Sequence, residues 1–170
     1  LDLESINFNL RTTIEDVGYT LARRAQDKDL ELVCLVHPDI SHILRGDAGR
    51  LRQILTNLVG NAIKFTHQGE VVIRAEMLEE TDTHVRVHFS VQDTGIGIPL
   101  ERQPAVFERF TQADGSTTRK YGGTGLGLTI SKQLVEAMNG TMGLKSEAGI
   151  GSDFWFDITF EKADFQPPIE

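Results

Sequence analysis

Three short cassettes constrain this chain more than any other feature: NLVGNAIKFT at 57–66, DTGIGIP at 93–99 and GGTGLGL at 122–128. The first belongs to an amphipathic helix over 48–66. Leu51, Ile54, Leu55, Leu58 and Ala62 fall within one apolar stripe at about 100° per residue, while Gln53, Asn57, Asn61 and Lys64 share the opposite side. Solvent alone would select a polar face on a surface helix. Asparagine, however, is a mediocre helix former whose side chain competes for backbone bonds, so Asn57 and Asn61 one turn apart run against local preference. Such local violations concentrate at functional sites. A neutral amide oxygen can ligate magnesium without adding anionic charge beside a triphosphate, and Lys64 can meet a phosphate oxygen as a point charge.

DTGIGIP follows an alternating strand at Val85–Val91, whose period places Asp93 at its end. Asp, Thr, Gly and Pro are turn residues, and a plain turn accounts for the composition. Gly95 and Gly97 also let main chain lie close against a flat ligand. A buried Asp93 carboxylate can accept a hydrogen bond from an exocyclic amino group, which suits adenine better than the O6 of guanine. GGTGLGL sets Gly122, Gly123, Gly125 and Gly127 where a helix begins, offering unencumbered N–H groups and a positive dipole end to an anion. It lacks the Lys-Ser/Thr ending of a P-loop, and neither the dinucleotide fingerprint nor the eukaryotic kinase signatures occur.

A chain of 170 residues, 39% hydrophobic, fits one globular domain. Seventeen basic against 25 acidic residues give a formal charge of −8. That balance argues against an extended nucleic-acid face, so phosphate binding has to be local. Cys34, the single cysteine, sits in the apolar run Leu32 to Val36 and reads as a buried small hydrophobe in an intracellular protein. No run approaches the roughly 20 apolar residues of a membrane span, and no signal peptide is visible. The start without Met leads to the expectation of a piece of a longer protein.

Alternation at Ile6, Phe8 and Leu10 predicts a short strand, and Ile14, Val17, Leu21 and Ala25 predict a helix over 11–27. A buried strand at Leu30–His37 follows, closed by Pro38. Strands at Val71–Leu78 and Val85–Val91 are expected to form a hairpin through Glu79-Glu80-Thr81-Asp82. The polar, Gly-rich stretch 94–123 is long enough to be functional and carries a short helical piece around Val106–Phe110. A helix over Leu126–Met138 should stop at Asn139-Gly140, ahead of strands at Met142–Ser146 and Phe154–Phe160. The tail 163–170, with Pro167-Pro168, reads as a linker. This order predicts a two-layer α/β sandwich.

The cassettes closely resemble those of the catalytic, ATP-binding domain of sensor histidine kinases, within the superfamily of gyrase, chaperone, histidine kinase and mismatch-repair ATPases. NLVGNAIKFT is similar to the N box, DTGIGIP to the first glycine box, FERFTQ at 107–112 to the F box and GGTGLGL to the second glycine box. GIGSDFWF at 149–156 is similar to the closing GxGTxFxF segment, with Ser152 where Thr is commoner. The resemblance implies a Bergerat-type α+β sandwich over residues 1–162, with about five mixed strands, three helices and a lid at about 94–123.

It implies further that Asn61 ligates Mg2+ with help from Asn57, and that Asp93 binds the adenine amino group near Gly95 and Gly97. Lys64, Gly123, Thr124, Gly125, Leu126 and Gly127 would surround the phosphates of ATP. Ile98 and Phe110 would give apolar contact, and Arg119-Lys120 would be available to the triphosphate. Gyrase-like ATPases commonly carry a water-activating Glu where this chain has Asn57, and an amide is no general base at neutral pH. The resemblance therefore favours phosphoryl transfer over hydrolysis. None of the five histidines has the context of a phosphoacceptor. The acceptor would lie on a separate dimerisation/phosphoacceptor domain, with a response-regulator receiver domain downstream. The phrasing FTQADGSTTRKYGGTGLGL is similar to hybrid sensor kinases. The implied compartment is the cytoplasm, whether or not the parent is anchored in the inner membrane, with no nucleic acid or direct membrane contact by this domain. A gyrase-like ATPase and a degenerate nucleotide-binding signalling module are the alternatives.

Overall fold

The computed structural model describes residues 2–40, 43–107 and 125–163. Within them the elements run β1 (Ile6–Asn9), α1 (Leu10–Asp27), β2 (Glu31–Val36), β3 (Ile43–Gly46), α2 (Ala48–Phe65), β4 (Glu70–Glu80) and β5 (His84–Asp93). A 3₁₀ helix at Leu100–Ala105 follows, then α3 (Gly125–Ala137), β6 (Thr141–Glu147) and β7 (Gly151–Lys162). No helix among the described residues is long and apolar enough to cross a membrane.

The strands form one seven-stranded sheet in the order β1-β3-β7-β5-β4-β2, with β6 also paired to β7. Only β2 and β4 are parallel; the other pairs are antiparallel. The expectation of about five strands is corrected by the short ribbon of β1 and β3, which extends the sheet through Leu44 opposite Lys162 and Arg45 opposite Glu161. Helices lie on one face. The inward period of β5 (Val85, Val87, Phe89, Val91) and of β7 (Phe154, Phe156, Ile158, Phe160) meets Leu51, Ile54, Leu55 and Leu58 of α2 and Ile14, Val17 and Leu21 of α1. At the centre Phe89 and Phe156 stack at 4.6 Å between ring centroids. Fully burying a residue of this kind is worth about 1.5–3 kcal/mol.

Several local expectations hold. Asn139 takes a left-handed φ of 61° and Gly140 N–H closes on Val135 O at 2.9 Å, which stops α3 as predicted. The helix expected over 48–66 is also present, and the structure adds its cap: Asp47 accepts from Arg50 N–H at 2.9 Å.

Others are corrected. The strand expected through Leu10 ends at Asn9, because the Asn9 side chain accepts from Thr12 N–H and starts α1. β2 is an edge strand rather than a buried one: Leu35 is 43% exposed, and Cys34 is half-buried. Burial first, and Glu15 second, push the Cys34 thiol pKa up. α1 still approaches β2 closely, since a Cβ on Gly18 would lie 2.9 Å from Cys34 Sγ. β4 runs through Glu80, so the turn is Thr81-Asp82-Thr83, where Thr81 Oγ1 accepts from Thr83 N–H and His84 N–H. A 3₁₀ helix at Leu100–Ala105 directly follows Pro99; the helical piece expected around Val106–Phe110 lies largely outside the described residues, which stop at Phe107.

Candidate nucleotide site

The site lies where the C-terminal end of α2 meets the C-terminal end of β5. β5 delivers Asp93 to the sheet end, and its Oδ1 accepts Gly95 N–H at 2.8 Å and Ser152 N–H at 3.3 Å. Burial raises the Asp93 pKa above the ordinary carboxylate value; the two N–H donors oppose this, and nearby Asp153 adds to it. The protein therefore holds a costly carboxylate in a fixed orientation. Functional sites are where such groups collect.

Gly95 is required by close approach. A Cβ there would lie 2.5 Å from Phe65 O, 2.9 Å from Asp93 Oδ1 and 3.0 Å from Thr66 Oγ1. Three oxygens thus border one point beside the end of α2. Thr66 Oγ1 is fully buried and has no hydrogen-bond partner. Phe65 O is satisfied from the glycine turn by Ile96 N–H at 3.3 Å.

Gly97 is required by conformation. Its φ is 70°, and a Cβ would run into the Glu147 carbonyl of the β6–β7 turn. That turn braces the glycine segment throughout. Gly149 N–H donates to Ile96 O at 2.7 Å, and Ile98 N–H donates to Ser146 Oγ at 2.8 Å. Gln103 Nε2 spans Ile98 O and Ser146 O at 2.8 and 2.9 Å. Ser146 Oγ also lies 2.8 Å from Ser152 Oγ, beside the N–H that holds Asp93. Ile98 packs partly buried against the core.

On α2, Asn57 and Asn61 are half-buried on the side away from the core stripe, and Lys64 is exposed. Asn57 Nδ2 donates to the hydroxyl of the fully buried Ser131 on α3 at 3.3 Å. The bond joins the two helices and sets the amide's orientation, leaving Oδ1 as its other end. Gly125, Leu126 and Gly127 form the first turn of α3. Thr129 Oγ1 donates to Phe107 O at 3.0 Å, and the Phe107 ring meets Phe154 edge-on at 6.0 Å. Phe110, Arg119, Lys120, Gly122, Gly123 and Thr124, the lid beyond Phe107 and the 164–170 linker lie outside the described residues, as does the Leu126 side chain.

The residues fit an adenine nucleotide on structural grounds: an oriented carboxylate, glycines whose side chains would fill the approach, and an orphaned buried hydroxyl beside them. For a metal, the described residues contain no cluster of three or more His, Cys, Asp or Glu side chains. The donors on α2 are instead amide oxygens, a neutral set compatible with magnesium already carrying phosphate oxygens. Sequence reading missed Thr66, Ser131, Ser146 and Gln103. Ser152 was recognised only through resemblance.

The family model described as "Histidine kinase-, DNA gyrase B-, and HSP90-like ATPase" matches residues 46–162. The chain belongs to that family. Sensor protein GacS of Pseudomonas syringae pv. syringae is 52% identical over 163 residues, covering 96% of this chain and 18% of that protein. Hybrid signal transduction histidine kinase L of Dictyostelium discoideum is 46% identical over 163 residues, 95% of this chain and 10% of that protein. The chain therefore spans less than a fifth of either relative. Full-length ShkA, solved in complex with AMPPNP, superposes with a TM-score of 0.83 at 36% identity, covering 96% of this chain and 32% of that one. The histidine kinase-, gyrase- and HSP90-like family match contains all three cassettes; β1, α1, β2 and most of β3 precede it.

Proposed function

We propose that this domain binds Mg-ATP between α2 and the glycine segments and donates the γ-phosphoryl group to a histidine on a separate dimerisation/phosphoacceptor domain. Asp93 accepts from the adenine amino group, with Gly95 and Gly97 allowing the base to lie against main chain. Asn61 and the Oδ1 of Asn57 hold magnesium, and Lys64 meets a phosphate. Ile98, Phe110, Arg119, Lys120, Gly123, Thr124, Gly125, Leu126 and Gly127 complete the surround. Bound magnesium supplies charge neutralisation on the triphosphate, and the protein contributes positioning.

The observation that carries transfer over hydrolysis is Asn57. One turn before Asn61 the chain places an amide whose nitrogen already serves Ser131, and an amide has no capacity to take a proton from water at neutral pH. Within the chain, three of the five histidines are engaged elsewhere: His37 by Asp39 N–H, His84 by Thr83 and His88 by Asp157. None of the five has the sequence context of a phosphoacceptor either, which favours an acceptor on the separate domain, and a receiver domain takes the phosphoryl group afterwards, in the cytoplasm. The likeness to a hybrid histidine kinase supports that last step.

The test mixes this domain with the parent's phosphoacceptor domain and labelled ATP. Acid-labile, alkali-stable phosphate on the added domain is expected. Rapid release of phosphate into water without protein labelling would instead establish an ATPase.

A further inference from the structure

The end of α2 that carries the nucleotide-binding groups is held by a residue outside the family match. Lys28 follows α1, and its ammonium donates to two carbonyls of the last turn of α2, Ile63 O at 2.6 Å and Lys64 O at 3.1 Å. Helices end with carbonyls that lack intrahelical partners and with a negative dipole end, so a cation there satisfies both needs. The next carbonyl, Phe65 O, is bonded by Ile96 N–H from the glycine turn. The final turn of α2 is therefore fixed from two sides, by Lys28 and by the nucleotide loop.

Lys28 is itself fixed. It caps α1, its own N–H donating to Ala25 O at 3.1 Å. Asp29 turns left-handed at φ 56°, and Leu30 N–H returns to Ala25 O at 2.9 Å, with the Leu30 side chain buried. This is the αL closure that ends helices tightly. Glu31 N–H then bonds Gly69 O just beyond α2. The half-buried Lys28 side chain thus reaches across from a rigid turn rather than from a loose loop.

We propose that Lys28 is a positioning residue for phosphate binding, acting through the last turn of α2 to hold Lys64 in place. The proposal rests on the nucleotide reading above. Asp93 is oriented by Gly95 and Ser152 independently of Lys28, so the base end should feel its loss less than the phosphate end.

The experiment measures affinities of the whole chain for a non-hydrolysable ATP analogue with magnesium and for adenosine, in wild type, Lys28→Met, Lys28→Arg, Lys64→Met and the Lys28→Met/Lys64→Met pair. Lys28→Met should weaken the ATP analogue by about fivefold or more, the scale of one charge-assisted bond to a helix end, while adenosine affinity stays within about twofold. Lys28→Arg, which keeps the charge and two donors, should restore the preference for the triphosphate. In the Lys64→Met background, Lys28→Met should add nothing, because interacting residues are non-additive. A fall in melting temperature with both affinities unchanged, equal weakening of both ligands, or full additivity of the pair would each overturn the role of Lys28. If Lys28→Met does not fold, Lys28→Gln goes through the same cycle under the same criteria. Absence of binding by the wild-type chain would overturn the nucleotide reading itself, a different failure from additive loss in a chain that binds.

Discussion

Replacing Asp93 by Asn should separate stability from binding. In the structure, Asp93 Oδ1 takes both main-chain donors, Gly95 N–H and Ser152 N–H. An asparagine that preserves those bonds must place its oxygen there and its NH2 where Oδ2 was. The nucleotide then meets a donor instead of an acceptor, opposite an adenine amino group that is itself a donor. A hydrogen bond to a charged group is worth about 1.5–3 kcal/mol, so affinity for an adenine nucleotide should fall roughly 10- to 150-fold, more if the opposed donors repel. The ligand-free fold should not suffer. Burial is the main reason the Asp93 pKa is raised, and the Asp93→Asn substitution removes that desolvated charge while keeping the shape. Calorimetric titration with a non-hydrolysable ATP analogue gives the first quantity and thermal unfolding without ligand the second. Affinity lost with melting temperature held or raised is the expected result. A parallel fall in both would show that Asp93 is structural, and affinity within about threefold of wild type would refute the base-reading role.

Acidification should weaken nucleotide binding at a pH above that of an ordinary aspartate, since the carboxylate is the binding form and its pKa is raised. The stability contribution of Asp93 has the opposite sign, being present in full below its unfolded pKa and lost as pH rises through its folded one; titrating affinity and melting temperature against pH in parallel checks both. Gly97→Ala imposes a left-handed φ and a clash with the Glu147 carbonyl, so it should cost about 1 kcal/mol or more in denaturant unfolding and weaken nucleotide binding as the turn shifts. Phe156→Ala removes a fully buried ring stacked on Phe89 and should cost about 3–5 kcal/mol in the same assay. Ser131→Ala frees the Asn57 amide to turn; magnesium enhancement of ATP-analogue binding should shrink, while magnesium-free binding changes by less than about threefold, the size of a modest hydrogen bond.

What the sequence displays is periodicity and punctuation. α2 was legible because its stripe recurs over 18 residues, and Asn139 and Gly97 because a left-handed φ calls for few residue types. Asp93 at its strand end followed from the alternation of β5. β3 was not legible, since four residues, Ile43-Leu44-Arg45-Gly46, are too few to set a period. β2 was misjudged because an apolar run shows β propensity without showing whether a further strand lies beside it; nothing local to residues 31–36 places them at the sheet edge. Among the site residues, those missed are short hydroxyls and one amide whose meaning comes from distant partners. Ser131 bonds a residue 74 positions away, and Ser146 one 48 positions away. Lys28 was silent for the same reason: a charge after a helix looks solvated until a second helix end is found beneath it.

On the proposed reading, the two ends of the site are built on different principles. At the base end each group is braced by the sheet, the β6–β7 turn or the 3₁₀ helix: Asp93 through Ser152, the glycine turn through Ser146, Gln103 and Gly149. Such a pocket is preorganised and loses little entropy on binding. At the phosphate end the groups sit on two helices, α2 and α3, tied to each other by the Asn57–Ser131 bond and to the sheet region through Thr129 and Phe107. A shift of α3 relative to α2 would therefore alter the metal and phosphate groups while leaving Asp93 undisturbed.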